Sequence, residues 1–538
     1  MQGVFIDYVF LILIILGLVM LANKLRLAYP IVLVLGGLVL SLIDRFSGVT
    51  IDPELVFLIF LPPLLYEASW QISAKEFWRW RRVITSFAFP IVILTASVVA
   101  VVANAVQPAF SLALGFLLGG IVSPPDAISA STIMRQVNVP KEMVSIAEGE
   151  SLLNDASSLI VLRFALAAVI TGQFRWQEAV TSFGLVVVLG SAIGLLVGLV
   201  FYAIHRWLPT TPSIEIVLTL LTPYCMYYAA EHFGYSGVLA VVSGGVFLSV
   251  KRQALLTYQS RTQGINVWTN LVFVLNGLIF LLIGLQLPTI AKQLEEVSLA
   301  EAVGYGLLIS VVLMVTRLAC TFGAAQFTRF VSRFITVADP NPNWRGPLIL
   351  GWSGMRGVVS LAAALSIPIS IDGGAPFPHR NLILFITFVV ILVTLVFQGL
   401  TLPWLIRWVK FPDRSAAEQQ QELAIRQAVA RQSVAFLERQ RASAGPTNPQ
   451  LSNLYNRYRT ELGLLEAEAT LSDATRQSDR RDYQQTYLAL LEQQRAWLTE
   501  LNRQPESDEE LIRKHLYLID LEEVKVRGWM GPDAEAGG

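Results

Sequence analysis

Leu112-Ala113-Leu114-Gly115-Phe116-Leu117-Leu118-Gly119-Gly120-Ile121-Val122-Ser123-Pro124-Pro125-Asp126 begins as a membrane-crossing helix and breaks before it has crossed. The surrounding span, near residues 110–136, is long enough for a bilayer. Consecutive prolines remove backbone donors and crowd the preceding turn, so the helix cannot run on through them. A second span, near 345–369, carries Gly351-Trp352-Ser353-Gly354-Met355-Arg356-Gly357, a glycine density that loosens a helix. Unwound backbone at membrane depth survives only where protein or a water-filled cavity satisfies it. The breaks lie in the fifth of the first six spans and the fifth of the last six. Matching interruptions in two halves point to inverted repeats with a transport site at the midplane. Two unrelated kinks are the plainer alternative.

The rest of the chain fits that frame. It is 54% hydrophobic and only 15% charged, too apolar for a soluble chain of 538 residues. Apolar runs near 5–22, 29–43, 53–69, 83–104, 110–136, 143–171, 177–205, 213–232, 235–250, 266–288, 298–328, 345–369 and 380–409 give about thirteen spans. Loops assigned to the inside carry eighteen Lys and Arg, among them Lys24, Arg26, Arg79, Arg81, Arg82, Lys251, Arg252 and Arg414. Those outside carry four: Arg45, Arg175, Lys292 and Arg380. This asymmetry follows the positive-inside rule and puts the N-terminus outside and the C-terminal tail in the cytoplasm. With no basic residue before the first apolar run, that run reads as an uncleaved helix rather than a signal peptide.

The fold expected is therefore an all-α polytopic membrane protein, with a membrane domain over 1–412 and a helical tail over 413–538. Tail helices are expected near 416–442, 451–470, 473–503 and 508–526, punctuated by Gly445-Pro446 and Pro505. Ser507 with Glu510 suits a capping box, and Leu423, Val429, Phe436 and Leu437 suit packing faces. No catalytic, nucleotide or metal motif stands out there, which leaves regulation, assembly or a solvated appendage. Cys225 and Cys320 lie inside apolar runs and imply no disulfide framework, and the four histidines have no metal-ligand spacing.

Ionisable residues inside spans are costly and default to functional or paired roles. Here they are Glu67, Asp126, Glu148, Glu150, Asp155, Arg163, Arg317 and Arg356. The densest group is Glu148-Gly149-Glu150-Ser151-Leu152-Leu153-Asn154-Asp155. On a helix Ser151 and Asp155 share one face, with Glu150 and Asn154 on the adjoining one. A carboxylate near mid-membrane, flanked by hydroxyl and amide oxygens, offers the hard ligands that a small alkali cation prefers. It can equally bind a proton, because burial penalises the charged form. Holding either ion but not both is the minimum for exchange.

The other charges read as supports. Asp126 can lie on the cation path or answer the positive N-terminus of a half-helix, and Arg356 suits half-helix C-termini. Arg317 needs a carboxylate partner, for which Glu150 is the best placed. Arg163 either modulates the site or snorkels. Glu67, near the cytoplasmic end of its span, is a candidate for an entrance funnel.

Gly149-Glu150-Ser151-Leu152-Leu153-Asn154-Asp155 resembles the Asn-Asp signature of the cation:proton antiporters of the NhaP and eukaryotic sodium/proton exchanger group. Phe60 to Glu67, Pro125-Asp126, Arg317 and Gly354-Met355-Arg356-Gly357 also match, in the family's order. The likeness covers roughly 5–410, and the tail from Gln419 resembles bacterial members. The resemblance implies a homodimer in which a core of broken helices moves against a dimerisation domain. It implies that Asp155 is the shared Na⁺ and proton site, assisted by Ser151, Asn154 and the backbone near Pro125, with a Glu150–Arg317 pair beside it. Many relatives have Thr where Pro125 stands, so a carbonyl is available there but no hydroxyl.

The expected function is exchange of Na⁺, with Li⁺ or K⁺ as further candidates, for H⁺ by alternating access. It is expected to be electroneutral, because Asn154 does not titrate. No enzyme activity, cofactor or nucleic acid is implied, and the setting is a bacterial inner membrane. A K⁺/H⁺ antiporter of the same mechanism is the alternative. A passive channel would need a continuous pore and no obligatory proton. An intramembrane hydrolase would need a base beside Ser151 or a second aspartate beside Asp155.

Overall fold

The computed structural model describes residues 2–25, 27–43, 56–107, 110–137, 139–172, 176–294, 297–371, 375–411, 415–444, 449–468, 473–502 and 509–528. Arg26, Arg45, Arg175, Arg414, Gly445-Pro446, Pro505 and Ser507, which entered the charge count and the tail reading, lie outside them. The chain forms two compact units, Met1–Phe411 and Pro412–Gly538. Among the described residues there is no β-strand, only an isolated bridge between Ser370 and Pro376.

In the first unit helix occurs at every expected span. It opens with α1 (Gln2–Leu25), α2 (Tyr29–Leu40), α3 (Leu61–Gln71) and α4 (Ala74–Val106). The first broken span is α5 (Leu112–Val122) and α6 (Ala127–Gln136). Then come α7 (Lys141–Thr171), α8 (Trp176–Trp207), α9 (Pro212–His232), α10 (Gly237–Leu255), α11 (Tyr258–Lys292) and α12 (Leu299–Val331). The second broken span is α13 (Arg345–Trp352) and α14 (Val358–Leu365), and α15 (Arg380–Val409) closes the unit. Seven of these segments are apolar enough over a long enough continuous stretch to cross a membrane by length and composition alone, from α4, α7, α8, α10, α11, α12 and α15. The chain is a multi-pass membrane protein.

Local chemistry sets the boundaries. Ser111, Thr211, Ser236, Thr257 and Ser298 each accept the amide three residues on, satisfying donors that a helix start leaves unpaired. Pro90 sits inside α4, and the chain absorbs its missing amide in a π-helical turn at Phe87–Ile91. Packing depends on small residues where backbones must touch. A methyl group on Gly37 of α2 would strike the Leu281 carbonyl of α11, and one on Gly284 would strike the Val34 carbonyl. One buried cluster runs through α4, α5, α7 and α12 to α15, reaching α2 and α11. Another gathers α3, α9 and α10 around Tyr66, Met226 and Val241.

The second unit is α16 (Ser415–Ala444), α17 (Pro449–Glu468), α18 (Asp473–Leu501) and α19 (Glu509–Gly528). Arg431 pairs with Glu466 while Tyr455 donates to Glu438, so α16 and α17 run antiparallel. Arg495 with Asp520 and Gln484 with the Val526 carbonyl set the same arrangement for α18 and α19. One expectation needs correction. Ala430 and Leu437 are buried, whereas Val429 and Phe436 are each 59% exposed. A helix buries one stripe, and α16 turns the Ala430–Leu437 stripe inward, leaving Val429 and Phe436 on the open side.

Candidate cation site

The site begins with the two breaks, which meet. The Asp126 amide donates to the Met355 carbonyl at 2.6 Å, joining the break after α5 to the break after α13. A Cβ on Gly357 would collide with the Asp126 carboxylate, so glycine is what lets the two strands of irregular backbone approach. Helix ends at this depth carry orphan groups that only protein can satisfy. Asp126 answers one set: Oδ1 accepts the Ile128 amide at 3.0 Å and Oδ2 accepts the Ser129 hydroxyl at 3.0 Å, capping α6. Arg356 answers another, donating through Nε to the Val122 carbonyl at 2.9 Å and through Nη2 to the Ser123 carbonyl at 3.4 Å. Nη1 donates to the Gly354 carbonyl, and the Arg356 amide donates to Thr394 Oγ1 at 3.2 Å. Arg356 is fully buried. Its guanidinium faces the partial negative charge at the end of α5, as half-helix geometry asks.

Helix α7 passes beside this crossing and brings the polar face expected of it. Asn154 is buried, and its Nδ2 donates to the Pro125 carbonyl at 3.2 Å. Its Oδ1 is buried and accepts no hydrogen bond from the described residues. Asp155 is buried one residue on. Ser151 is half-buried one turn earlier. An amide oxygen, a carboxylate and a hydroxyl on one side of a helix, with the amide oxygen unclaimed by the described residues, fit a small hard cation. The Pro125 carbonyl lies against the same amide and has a second lone pair to offer. Among the described residues no group of three or more His, Cys, Asp or Glu could hold a metal ion, so any cation here depends on these mixed oxygens.

The remaining charges pair. Glu150 and Arg317 form a two-pronged ion pair at 2.7 and 2.9 Å, their side chains 1% and 5% exposed. Arg317 Nε also donates to the Leu350 carbonyl at 3.3 Å, tying α7 and α12 to the last turn of α13. Glu148 pairs with Arg135 at 2.7 Å. Arg163 binds Glu231 at 2.7 Å. Sequence reading passed over Glu231, which sits in the last turn of α9, at the end of the expected span 213–232. It also missed Glu215, buried in the first turn of α9, where Thr257 and Thr210 hold its carboxylate. Thr394 was invisible too, because nothing in a long apolar run marks which threonine faces a neighbouring break.

Glu67 lies apart from the crossing. It lines a cavity of about 390 Å³ with Trp70, Gln71, Arg135 and Trp268 among its walls.

Comparison with known proteins places the chain in a family. Residues 10–408 match the family model described as sodium/hydrogen exchanger, transmembrane. An uncharacterised Na(+)/H(+) exchanger of Mycobacterium tuberculosis is 32% identical over 511 residues, covering 94% of this chain and 93% of that one. A sodium, potassium, lithium and rubidium/H(+) antiporter of Bacillus pumilus is 34% identical over 391 residues, covering 70% of this chain and 57% of that one. The structure of the sodium proton antiporter MjNhaP1 from Methanocaldococcus jannaschii at pH 8 is similar in fold, with a TM-score of 0.57 at 16% identity, covering 75% of this chain and 98% of that one.

Proposed function

Because this chain belongs to the sodium/hydrogen exchanger family, we propose that it exchanges Na⁺ for H⁺ across a membrane by alternating access at Asp155. The observation that carries the reading is the unclaimed Asn154 Oδ1 beside the buried Asp155, held against the meeting point of two broken helices. A buried carboxylate is neutralised by a proton or by a cation, and each displaces the other. Ser151 and the Pro125 carbonyl complete the cation's shell, with Asp126 in the second place: its oxygens are already engaged with α6. The names of the Bacillus relatives extend the candidate cations to Li⁺ and K⁺. The chain performs no covalent chemistry and uses no cofactor in this reading.

The setting is a bacterial inner membrane, crossed about thirteen times, with residues 413–538 in the cytoplasm and two copies forming a homodimer. Val188 and Leu196 on α8 stand 64% and 65% exposed, apolar surface that suits a bilayer or a second copy and not water. Glu67 guards the cytoplasmic entrance. Purified protein in proteoliposomes tests the function directly: an imposed sodium gradient is expected to drive proton movement, and a failure to do so in well-folded protein overturns the reading.

Two further outcomes follow. The neighbour of Asp155 is an amide that cannot titrate, so the site carries the same net charge with H⁺ as with Na⁺. Exchange is then one for one, and membrane potential does no net work on it. With a diffusion potential set by a permeant anion, the sodium gradient at which proton flux vanishes is expected to stay fixed. A null point that moves with voltage would add Asp126 to the proton count. Deleting residues 413–538 is expected to leave exchange intact, since every proposed ligand lies upstream. Complete loss in a well-folded truncation would make the tail part of the transport machinery.

A further inference from the structure

Helix α7, which carries Asp155, is held to its neighbours by two ion pairs of different kinds. The Glu150–Arg317 pair joins it to α12 and is 1% and 5% exposed, so parting it would strand two charges away from water. Eight residues past Asp155, Arg163 pairs with Glu231 of α9, and these side chains are 48% and 31% exposed. Water can take over their hydrogen bonds when they separate. Nη2 of Arg163 donates to both Glu231 oxygens, at 2.9 and 2.7 Å. Glu231 Oε1 also accepts the amide of Gly237, the first residue of α10, at 3.0 Å. One carboxylate therefore ties α7 to the turn between α9 and α10. Along the rest of that face Ala156 is fully buried in the cluster of α3, α9 and α10, with Leu153 and Leu159 packed against it. Apolar contact of this kind is non-directional and sets no register of its own. The firm tie of α7 thus runs to α12, and the breakable one runs to α9 and α10.

We propose that the Arg163–Glu231 pair is a latch on alternating access. Formed, it closes α7 against α9 and α10 on the Arg163 side of Asp155; broken, it lets α7 shift and the site open on that side. The inference rests on the exchange reading given above, and in the orientation proposed there the latched side is the outer one. An exchanger needs two arrangements close in energy, and only a contact of small net worth can be made and broken in every cycle. A part-exposed ion pair has that worth, biasing such an equilibrium by about two- to fivefold. Arg163 and Glu231 act as positioning residues here, setting how often the site faces each side. Apparent affinity from one side weakens as the population open to that side falls. The latch therefore weakens sodium binding from outside and strengthens it from the cytoplasm.

The test measures the apparent KM for Na⁺ from each face of the full chain, in right-side-out and in everted membrane vesicles at equal pH on both sides. Arg163→Gln is expected to lower the ratio of outer to cytoplasmic KM by about two- to fivefold. The outer value falls, while the cytoplasmic value rises, or holds where the latched state already dominates. A single nitrogen makes both contacts to Glu231, so Arg163→Lys can keep them and should stay nearer the wild-type ratio. Glu231→Gln retains an acceptor for the Gly237 amide and loses the charge, so it should shift the ratio as Arg163→Gln does. It carries the test if Arg163→Gln does not fold. The double variant Arg163→Gln with Glu231→Gln should add nothing to either single change. An unchanged ratio, two KM values that rise together, or a double variant whose shift is the product of the singles each overturns the latch. Wild-type vesicles without sodium-driven proton movement would instead sink the exchange reading itself.

Discussion

Asp155→Asn is expected to reduce sodium-driven proton movement to the level of empty liposomes while the protein remains folded. The substitution keeps shape and volume and removes the one property the mechanism needs, a charge that either ion can cancel. An uncompensated carboxylate in a dry environment is costly, and that cost is what makes proton and cation compete for it. Asparagine is neutral in both half-cycles and gives neither ion a reason to bind. Structurally the change is mild, because an amide of nearly the same size takes the place of the carboxylate at the same buried helix position. Loss of a buried charge should, if anything, raise the melting temperature. Flux is read by a pH-sensitive dye under an imposed sodium gradient, and folding by size exclusion and thermal melts of the same preparation. Retention of more than a small fraction of wild-type flux would move the site elsewhere, to Asp126 first.

The sequence foretold the broken spans because proline and glycine act locally: Pro124-Pro125 and the Gly351–Gly357 run stop a helix whatever surrounds them. It foretold Arg317 and Glu150 as partners because a buried guanidinium leaves few alternatives. It was weaker where the answer depends on which way a helix is rotated. Residues Val429 and Leu437 are equally apolar, and only the packing of α17 decides that Leu437 goes in and Val429 stays out. Arg163 shows the same limit from the other side. Its partner Glu231 stands 68 residues away, at a span end where charge needs no explanation. Long-range pairing also hid Thr394, which meets Arg356 from another helix. The meeting of the two breaks could be inferred in kind from their matching positions. That Gly357 is the residue that admits Asp126 could not, because the steric need exists only once both strands are placed.

Glu150→Ala and Arg317→Ala are each expected to destabilise the folded protein by about 3–5 kcal/mol, and the double variant by much less than the sum of the two. The pair is 1% and 5% exposed with both prongs at hydrogen-bond distance, so removing either partner strands a full charge where water cannot reach it. Taking both away exchanges two desolvated ions for an apolar gap, which costs packing but leaves no orphan charge. Arginine has a second attachment: its Nε donates to the Leu350 carbonyl, and Gly354 lies close against its side chain. Arg317→Ala therefore also loosens the end of α13, and it should be the more damaging single change. That asymmetry separates the ion pair from the scaffold it supports. Glu150→Gln keeps an acceptor for the guanidinium and should fall between wild type and Glu150→Ala. Thermal melts of the four proteins in one detergent give the coupling energy by a double-mutant cycle. A coupling near zero would mean that the two side chains tolerate separation and that the pair does not hold α7 to α12.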